Sequence, residues 1–273
     1  MTVTARKPDL SLAIGLAEEA ASPHTWYGLG RRETGLRRLI VVRGAAPLDT
    51  VMRGRGPSWG AGFALPAAGT VVIRADAGDP HRILQHELAH LVLHEAVPVR
   101  VPLWFDEGYA ALAAGEWDRL DLLQLNLTVA RGRIPGFFEL DRSLRSTEST
   151  AQTAYALAAS AVALLARRHP DHSLAPLLSH LASGEGFDDA VLATTGSRTA
   201  DFEGEWQKDV RSRYGLAVWA IAGGFWLLMA GLVVLASWYR RRRDVPRRLA
   251  LDQGWPLPPE PEEPPLDEAG PAP

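Results

Sequence analysis

Two histidines four positions apart, in the stretch His86-Glu87-Leu88-Ala89-His90, constrain this chain more than any other feature. On a helix with about 3.6 residues per turn such a pair lies about 40° apart around the axis, so both imidazoles can reach one ion. The flanks supply the helix. Asp79 is a good N-cap, Pro80 suits the first helical position, where its missing N–H costs nothing, and Pro98 sets the latest end. The spacing therefore predicts a helix over 80–96. Ile83, His86, His90 and His94 share one stripe, and Leu84, Leu88, Leu91 and Val92 form an apolar flank. One side faces a site and the other the core.

The paired imidazoles suit zinc, and Glu87 sits at the edge of the same face, where it can hold a metal-bound water without being a ligand itself. Zinc lowers the pKa of such a water to about 7. A centre of this type takes a third protein ligand and leaves its fourth position to water. Trp104-Phe105-Asp106-Glu107-Gly108-Tyr109-Ala110-Ala111 begins a second predicted helix, with Glu107 seventeen positions after His90. That interval lets the first helix finish, a loop turn through Pro98 and Pro102, and the second helix cross back. Ala110, Ala111 and Ala114 give it a small-residue face, so the backbones can approach closely enough for a short carboxylate to reach the ion. Asp106 is a candidate to orient a ligand histidine through its ring N–H, with solvent exposure as the plain alternative. His94 lies a further turn along, away from an ion held by His86 and His90, and reads as a flank residue or as one that supports the ligands from behind.

In these residues the chain resembles the gluzincin metallopeptidases, the peptidase MA-like group that includes thermolysin and the zinc aminopeptidases. The match rests on His86, Glu87, His90 and Glu107-Gly108-Tyr109-Ala110 with Trp104 before them, and continues weakly to about residue 214. It implies an α+β fold, a thermolysin-like domain that is mostly helical with a small N-terminal sheet. It also implies zinc ligation by His86, His90 and Glu107, Glu87 as general base, and a peptide or protein substrate. Gluzincins commonly carry a later tyrosine or histidine that donates to the tetrahedral oxyanion; Tyr155 is the candidate, with core packing as the alternative. They often set a sheet edge strand beside the cleft, which makes Gly60, Ala61 and Gly62 the candidates for pairing with substrate, against a flexible loop over the core. Nothing separates an aminopeptidase from an endopeptidase. The rival class is a membrane-tethered binding or assembly module whose zinc only joins two helices, but a purely structural site more often closes its fourth position.

The net charge of −3 gives no reason to expect nucleic acid, and the absence of cysteine excludes disulfides and thiolate metal sites. Residues 1–8 read as a frayed end and 9–21 as a short amphipathic helix. Strands are predicted at 39–42 and 70–73, joined by a Gly- and Pro-rich connection. Beyond Glu107 the pattern gives a helix over 116–131, a turn at 134–138, a cleft-lining loop within 132–150 and a long helix over 150–168. Shorter helices follow at 174–183 and 186–214, where Phe202 and Trp206 make one packing stripe.

Residues 215–239 are twenty-five positions without a charge. A span of the bilayer needs about 20 such residues, so a transmembrane helix is predicted, with Trp238 and Tyr239 at the interface. Arg240 to Arg243, Arg247 and Arg248 outweigh Lys208, Arg211 and Arg213, which places the tail in the cytoplasm and the domain 1–214 outside. An outside domain requires export, yet the apolar run after Arg6 and Lys7 is interrupted by Asp9, Glu18 and Glu19 and makes a poor signal peptide. The expectation is then a start upstream of Met1, or a late-inserting tail anchor with the domain inside. The remainder, 240–273, is basic and then rich in proline and glutamate; nine prolines and seven acidic residues in 244–273 predict disorder. A proline-recognising cytoplasmic partner fits that tail, as does plain solvation.

Overall fold

A computed structural model of the 273-residue chain describes residues 1–54, 59–115, 132–252 and 254, with side chains described except at 215–222 and 244–252. The helix expected over 116–131 lies outside the described residues, as does most of the tail. The chain divides into two compact units, Met1–Trp219 and Ala220–Pro273.

In chain order the first unit opens with strand β1 (Thr2–Thr4), helix α1 (Leu10–Ala21), strands β2 (His24–Trp26), β3 (Gly30–Arg32) and β4 (Arg38–Val42), helix α2 (Ala45–Met52), and strands β5 (Gly62–Leu65) and β6 (Thr70–Arg74). The frayed N-terminus expected from sequence is instead β1, whose Thr-Val-Thr pairs in parallel with β4, Thr2 beside Arg38. β-branched residues suit that pleated ladder. β2 and β3 form an antiparallel hairpin whose three-residue strands are too short to show alternation.

The main sheet has the order β1-β4-β6-β5, with β4 and β6 parallel and β5 antiparallel on the outer edge. Successive side chains of a strand point to opposite faces, and the sheet uses both. Leu39, Val41, Val71 and Ile73 share a core with Leu16 of α1 and with Leu84 and Leu88 of the next helix, whereas Val72 packs with Leu48 and Met52 of α2. The connection between β4 and β6 thus contains a helix and a strand; of the two readings of 60–62, an edge strand or a flexible loop, the strand holds from Gly62 onward, while Gly60 and Ala61 precede β5.

Helix α3 (Pro80–Ala96) starts as the caps require: the Asp79 carboxylate accepts the His81 N–H at 3.0 Å, with Pro80 in the first turn. Helix α4 (Leu103–Ala113) follows Pro102, and its Trp104 N–H donates to Asp141 Oδ1 at 2.7 Å. Asp141 belongs to helix α5 (Phe137–Leu144), which replaces most of the loop expected within 132–150. Phe137, Leu140 and Leu144 are all buried; their spacing of three and four is a helical stripe that the surrounding arginines and hydroxyls obscured. The rest comprises α6 (Glu148–Arg168), α7 (Ala175–Ala182), α8 (Phe187–Thr195) and α9 (Thr199–Asp252).

Close packing of α4 on α6 fixes where the second helix lies. A Cβ on Gly108 would come within 2.5 Å of the Ala158 carbonyl oxygen, so only glycine fits. An aromatic stack supports the same helix: Trp104 lies on Phe137 at 4.1 Å and 8°, and Phe137 on Trp206 at 5.0 Å. The Trp206 indole donates to Ser160 Oγ at 2.8 Å, and Phe202 and Trp206 are fully buried.

Among the described residues two helical stretches are long and apolar enough to cross a membrane. One is α6, 67% buried and the central helix of the first unit; the other is 223–243, with 0% buried. Phe225, Trp226 and Leu227 are 59%, 70% and 76% exposed. The helix runs on to Asp252, a departure from the tail that the sequence starts at 240; Arg, Ala and Leu there are strong helix formers.

Candidate metal centre

Helix α3 presents His86 and His90 on successive turns, their ring centroids 5.0 Å apart. Helix α4 brings Glu107 against both: its Oε2 is 3.4 Å from His86 Nε2 and 3.5 Å from His90 Nε2. The ligand atoms of all three residues lie within 4.8 Å of one another. A tetrahedral ion with bonds of about 2.0–2.2 Å holds its donors about 3.4 Å apart, which the two contacts of Glu107 match, so the two imidazoles and one carboxylate are able to hold a metal ion.

The electrostatics point the same way. Burial opposes the charge on Glu107, but His90 and His86 outweigh it and lower its pKa to about 2. Burial would likewise push the His90 imidazolium down, and the carboxylates of Asp106 and Glu107 instead hold its pKa well above 6.5. Without a cation the cluster therefore keeps a proton on His90 at neutral pH, and a bound cation must displace it.

Asp106 joins two histidines. Its Oδ1 is 2.7 Å from His90 Nδ1 and its Oδ2 is 2.8 Å from His94 Nε2, which leaves His90 Nε2 directed at Glu107. Despite its burial, Asp106 is held well below the usual carboxylate range by His90 and then His94. A second grouping, His90, His94 and Asp106, also lies within 4.8 Å. It draws on the other nitrogen of His90, the one that fixes the ring.

These residues line one cleft of about 640 Å³ together with Glu87 and Tyr155. Glu87 is only 7% exposed and lies hard against β5: a Cβ on Gly62 would sit 2.7 Å from Glu87 Oε1 and 2.6 Å from Ile83 Cγ2. Tyr155 faces His86 edge-on, at 6.1 Å between ring centroids.

Of the three glycine-loop candidates, Ala61 accepts the Arg74 N–H on its carbonyl at 2.8 Å and Gly60 accepts from the Arg74 guanidinium at 3.4 Å. The antiparallel register alternates, so Ala61, Phe63 and Leu65 turn their backbone groups toward β6, while Gly62 and Ala64 turn theirs to the open edge.

Three further residues shape the site and carry no motif. Asp141 holds the start of α4, Arg145 lines the cleft, and the Trp59 indole donates across to the Ser146 carbonyl at 3.1 Å. Only the prediction that residues in 132–150 approach the cleft gave a signal for Arg145.

A mixed domain with a small sheet, an H-E-x-x-H helix and a crossing helix that returns a glutamate is the architecture of a metal-dependent peptidase. The profile of the Peptidase MA superfamily matches residues 41–212, more than half of the chain, and the chain belongs to that superfamily. No curated protein matches it. The superfamily is one of peptidases, typically metal dependent, and the His86, His90 and Glu107 group is able to hold a metal ion.

Proposed function

We propose that the chain is a membrane-anchored zinc metallopeptidase in which His86, His90 and Glu107 hold the ion and Glu87 is the general base. The observation that carries this reading is the meeting of three ligand atoms from two helices within 4.8 Å, in the cleft that also contains Glu87. When bound, zinc supplies Lewis acidity that makes water acidic near pH 7 and polarises a carbonyl.

Within that site Glu87 takes up the proton of the attacking water on its carboxylate and passes it to the departing amine nitrogen. Asp106 fixes the His90 ring by holding Nδ1–H, and so keeps Nε2 turned to the ion. Tyr155 donates its hydroxyl to the developing oxyanion. The open edge of β5 at Gly62 and Ala64 pairs with an extended peptide, which sets the scissile carbonyl beside Glu87.

Domain organisation follows the sequence: a peptidase domain over 1–214, a transmembrane helix over 215–239 and a cytoplasmic tail over 240–273, with the peptidase domain outside. The exposed apolar stretch of the second unit and the arginines that follow it support this reading.

Metal analysis and peptide-library cleavage, wild type beside Glu87→Gln, test the proposal. The variant should keep stoichiometric zinc and lose turnover. Hydrolysis retained in Glu87→Gln removes the mechanism, and zinc without any cleavage by wild type favours a binding module.

A further inference from the structure

Among the described residues of the cleft, Arg145 is the charged group that hydrolysis does not use. Among the described residues lining the cleft it is the one arginine, and no lysine lines it; the other formal charges there, Glu87, Asp106 and Glu107, belong to the metal centre. No hydrogen bond or ion pair joins its guanidinium to another described residue. Asp141, four residues earlier, feels the positive charge, but its carboxylate already accepts the Trp104 N–H.

The position of Arg145 is set by the fold. It caps the C-terminus of α5, and the next residue, Ser146, accepts the Trp59 indole N–H at 3.1 Å. Trp59 stands three residues before β5 and also lines the cleft. This hydrogen bond joins the segment entering β5 to the turn leaving α5.

Strand direction then decides which part of a substrate meets Arg145. β5 runs from Gly62 to Leu65, away from Trp59. A peptide paired antiparallel with its open edge has its N-terminal part toward Leu65 and its C-terminal part toward Gly60 and Trp59. Glu87, packed on Gly62, marks the point of attack between them. Residues just beyond the scissile bond are therefore carried to the end of the cleft that holds Arg145.

We propose that Arg145 binds a carboxylate on the leaving-group side of the scissile bond, so that preferred substrates carry a free C-terminus or an acidic side chain within a few residues after the cleavage point. This rests on the peptidase reading for its chemistry, but the binding site can be tested apart from turnover. A guanidinium pairs with a carboxylate through two parallel N–H···O bonds, and loss of such a pair in a partly solvated cleft reads as about a tenfold change.

The test uses the zinc-loaded full chain and matched short peptides: free acid beside amide, and amidated peptides with Asp beside Asn at each position. Cleavage is read as kcat/KM; binding is read by competition against a fluorescent peptide on Glu87→Gln protein, with and without Arg145→Ala. Carboxylate peptides should bind and react about tenfold better than their neutral partners. Arg145→Ala should abolish that preference, leave neutral peptides unchanged, and be partly rescued by Arg145→Lys. The free-acid and Asp arms separate a chain terminus from an acidic side chain. Equal binding of charged and neutral peptides, or an equal loss on both in Arg145→Ala, overturns the proposal. Selective binding without cleavage retains the carboxylate site and removes the hydrolase; cleavage without selectivity does the reverse.

Discussion

Asp106 grips His90 through a 2.7 Å contact between Oδ1 and Nδ1, on the side of the ring away from Glu107. A carboxylate placed there fixes the tautomer and raises the basicity of the other ring nitrogen, and removing such a partner typically costs about 10–100-fold in metal affinity. Asp106→Ala should therefore weaken zinc binding by about that factor in a chelator competition. His94→Ala, which removes only the group on the far oxygen of Asp106, should cost less. Unchanged affinity in Asp106→Ala would leave the contact without a role in holding metal.

The same cluster sets a pH dependence. Glu107 is depressed from 4.5 to about 2, so it contributes stability that is present above 4.5 and lost as pH falls toward 2. His90 is raised well above 6.5, so its contribution is present below 6.5 and lost as pH rises through the higher folded value. Metal-free protein should thus lose stability on the alkaline side. A cation must displace the proton on His90, so its stabilising increment grows over that same range. The gap in Tm between zinc-saturated and chelated protein should widen from pH 6 to pH 9; a constant or narrowing gap contradicts this account.

How far the sequence reveals the site depends on how local each signal is. The α3 caps and the spacing of His86 and His90 are written within seventeen residues, and the helix came out where they place it. Glu107 is less local: it stands seventeen positions beyond His90, ahead of a small-residue face, and the structure brings its carboxylate to both imidazoles. The packing of Gly62 on Glu87 was not found, since it pairs an edge strand with a helix across a turn and only a backbone without Cβ permits it. The hydrogen bond from Trp59 to Ser146 is illegible for the same reason: it joins positions 87 residues apart, and neither residue sits in a periodic pattern, so the sequence places Arg145 no more closely than in a cleft-lining stretch. α5 was hidden by its polar face, although Phe137, Leu140 and Leu144 carry the helical period.

Glycine at 108 is a prediction about both stability and the site. A methyl group there meets the Ala158 carbonyl at 2.5 Å, a backbone atom that no rotamer change can move aside. Overpacking of this kind costs about 1–3 kcal/mol, or more where backbone must shift. Since Gly108 follows Glu107, any displacement of α4 also moves a ligand. Gly108→Ala should lower Tm and weaken zinc binding together, whereas Ala114→Gly near the helix end should leave zinc binding unchanged. A Gly108→Ala protein with wild-type Tm and metal affinity would show that α4 and α6 are not held this closely.

The exposed apolar stretch bears on where the enzyme works. Leu227 and Trp226 are 76% and 70% exposed along a helix with 0% of its 223–243 window buried, and contiguous apolar exposure of this kind marks a surface that a membrane or a partner covers. The first unit has its own core, and α6, the other apolar helix, is used up inside it. Full-length chain should therefore stay in the membrane fraction through an alkaline carbonate wash. A chain ending at Trp219 should be soluble, bind zinc with wild-type stoichiometry and keep its activity on short peptides. On the proposed topology, in which the apolar run supplies the insertion energy and the arginines only bias the side the tail occupies, replacing Arg240 to Arg243 with glutamine should leave membrane retention intact and disturb only orientation. Release of the full-length chain by carbonate would place the stretch in a protein interface instead, and with it the covering of Trp226 and Leu227.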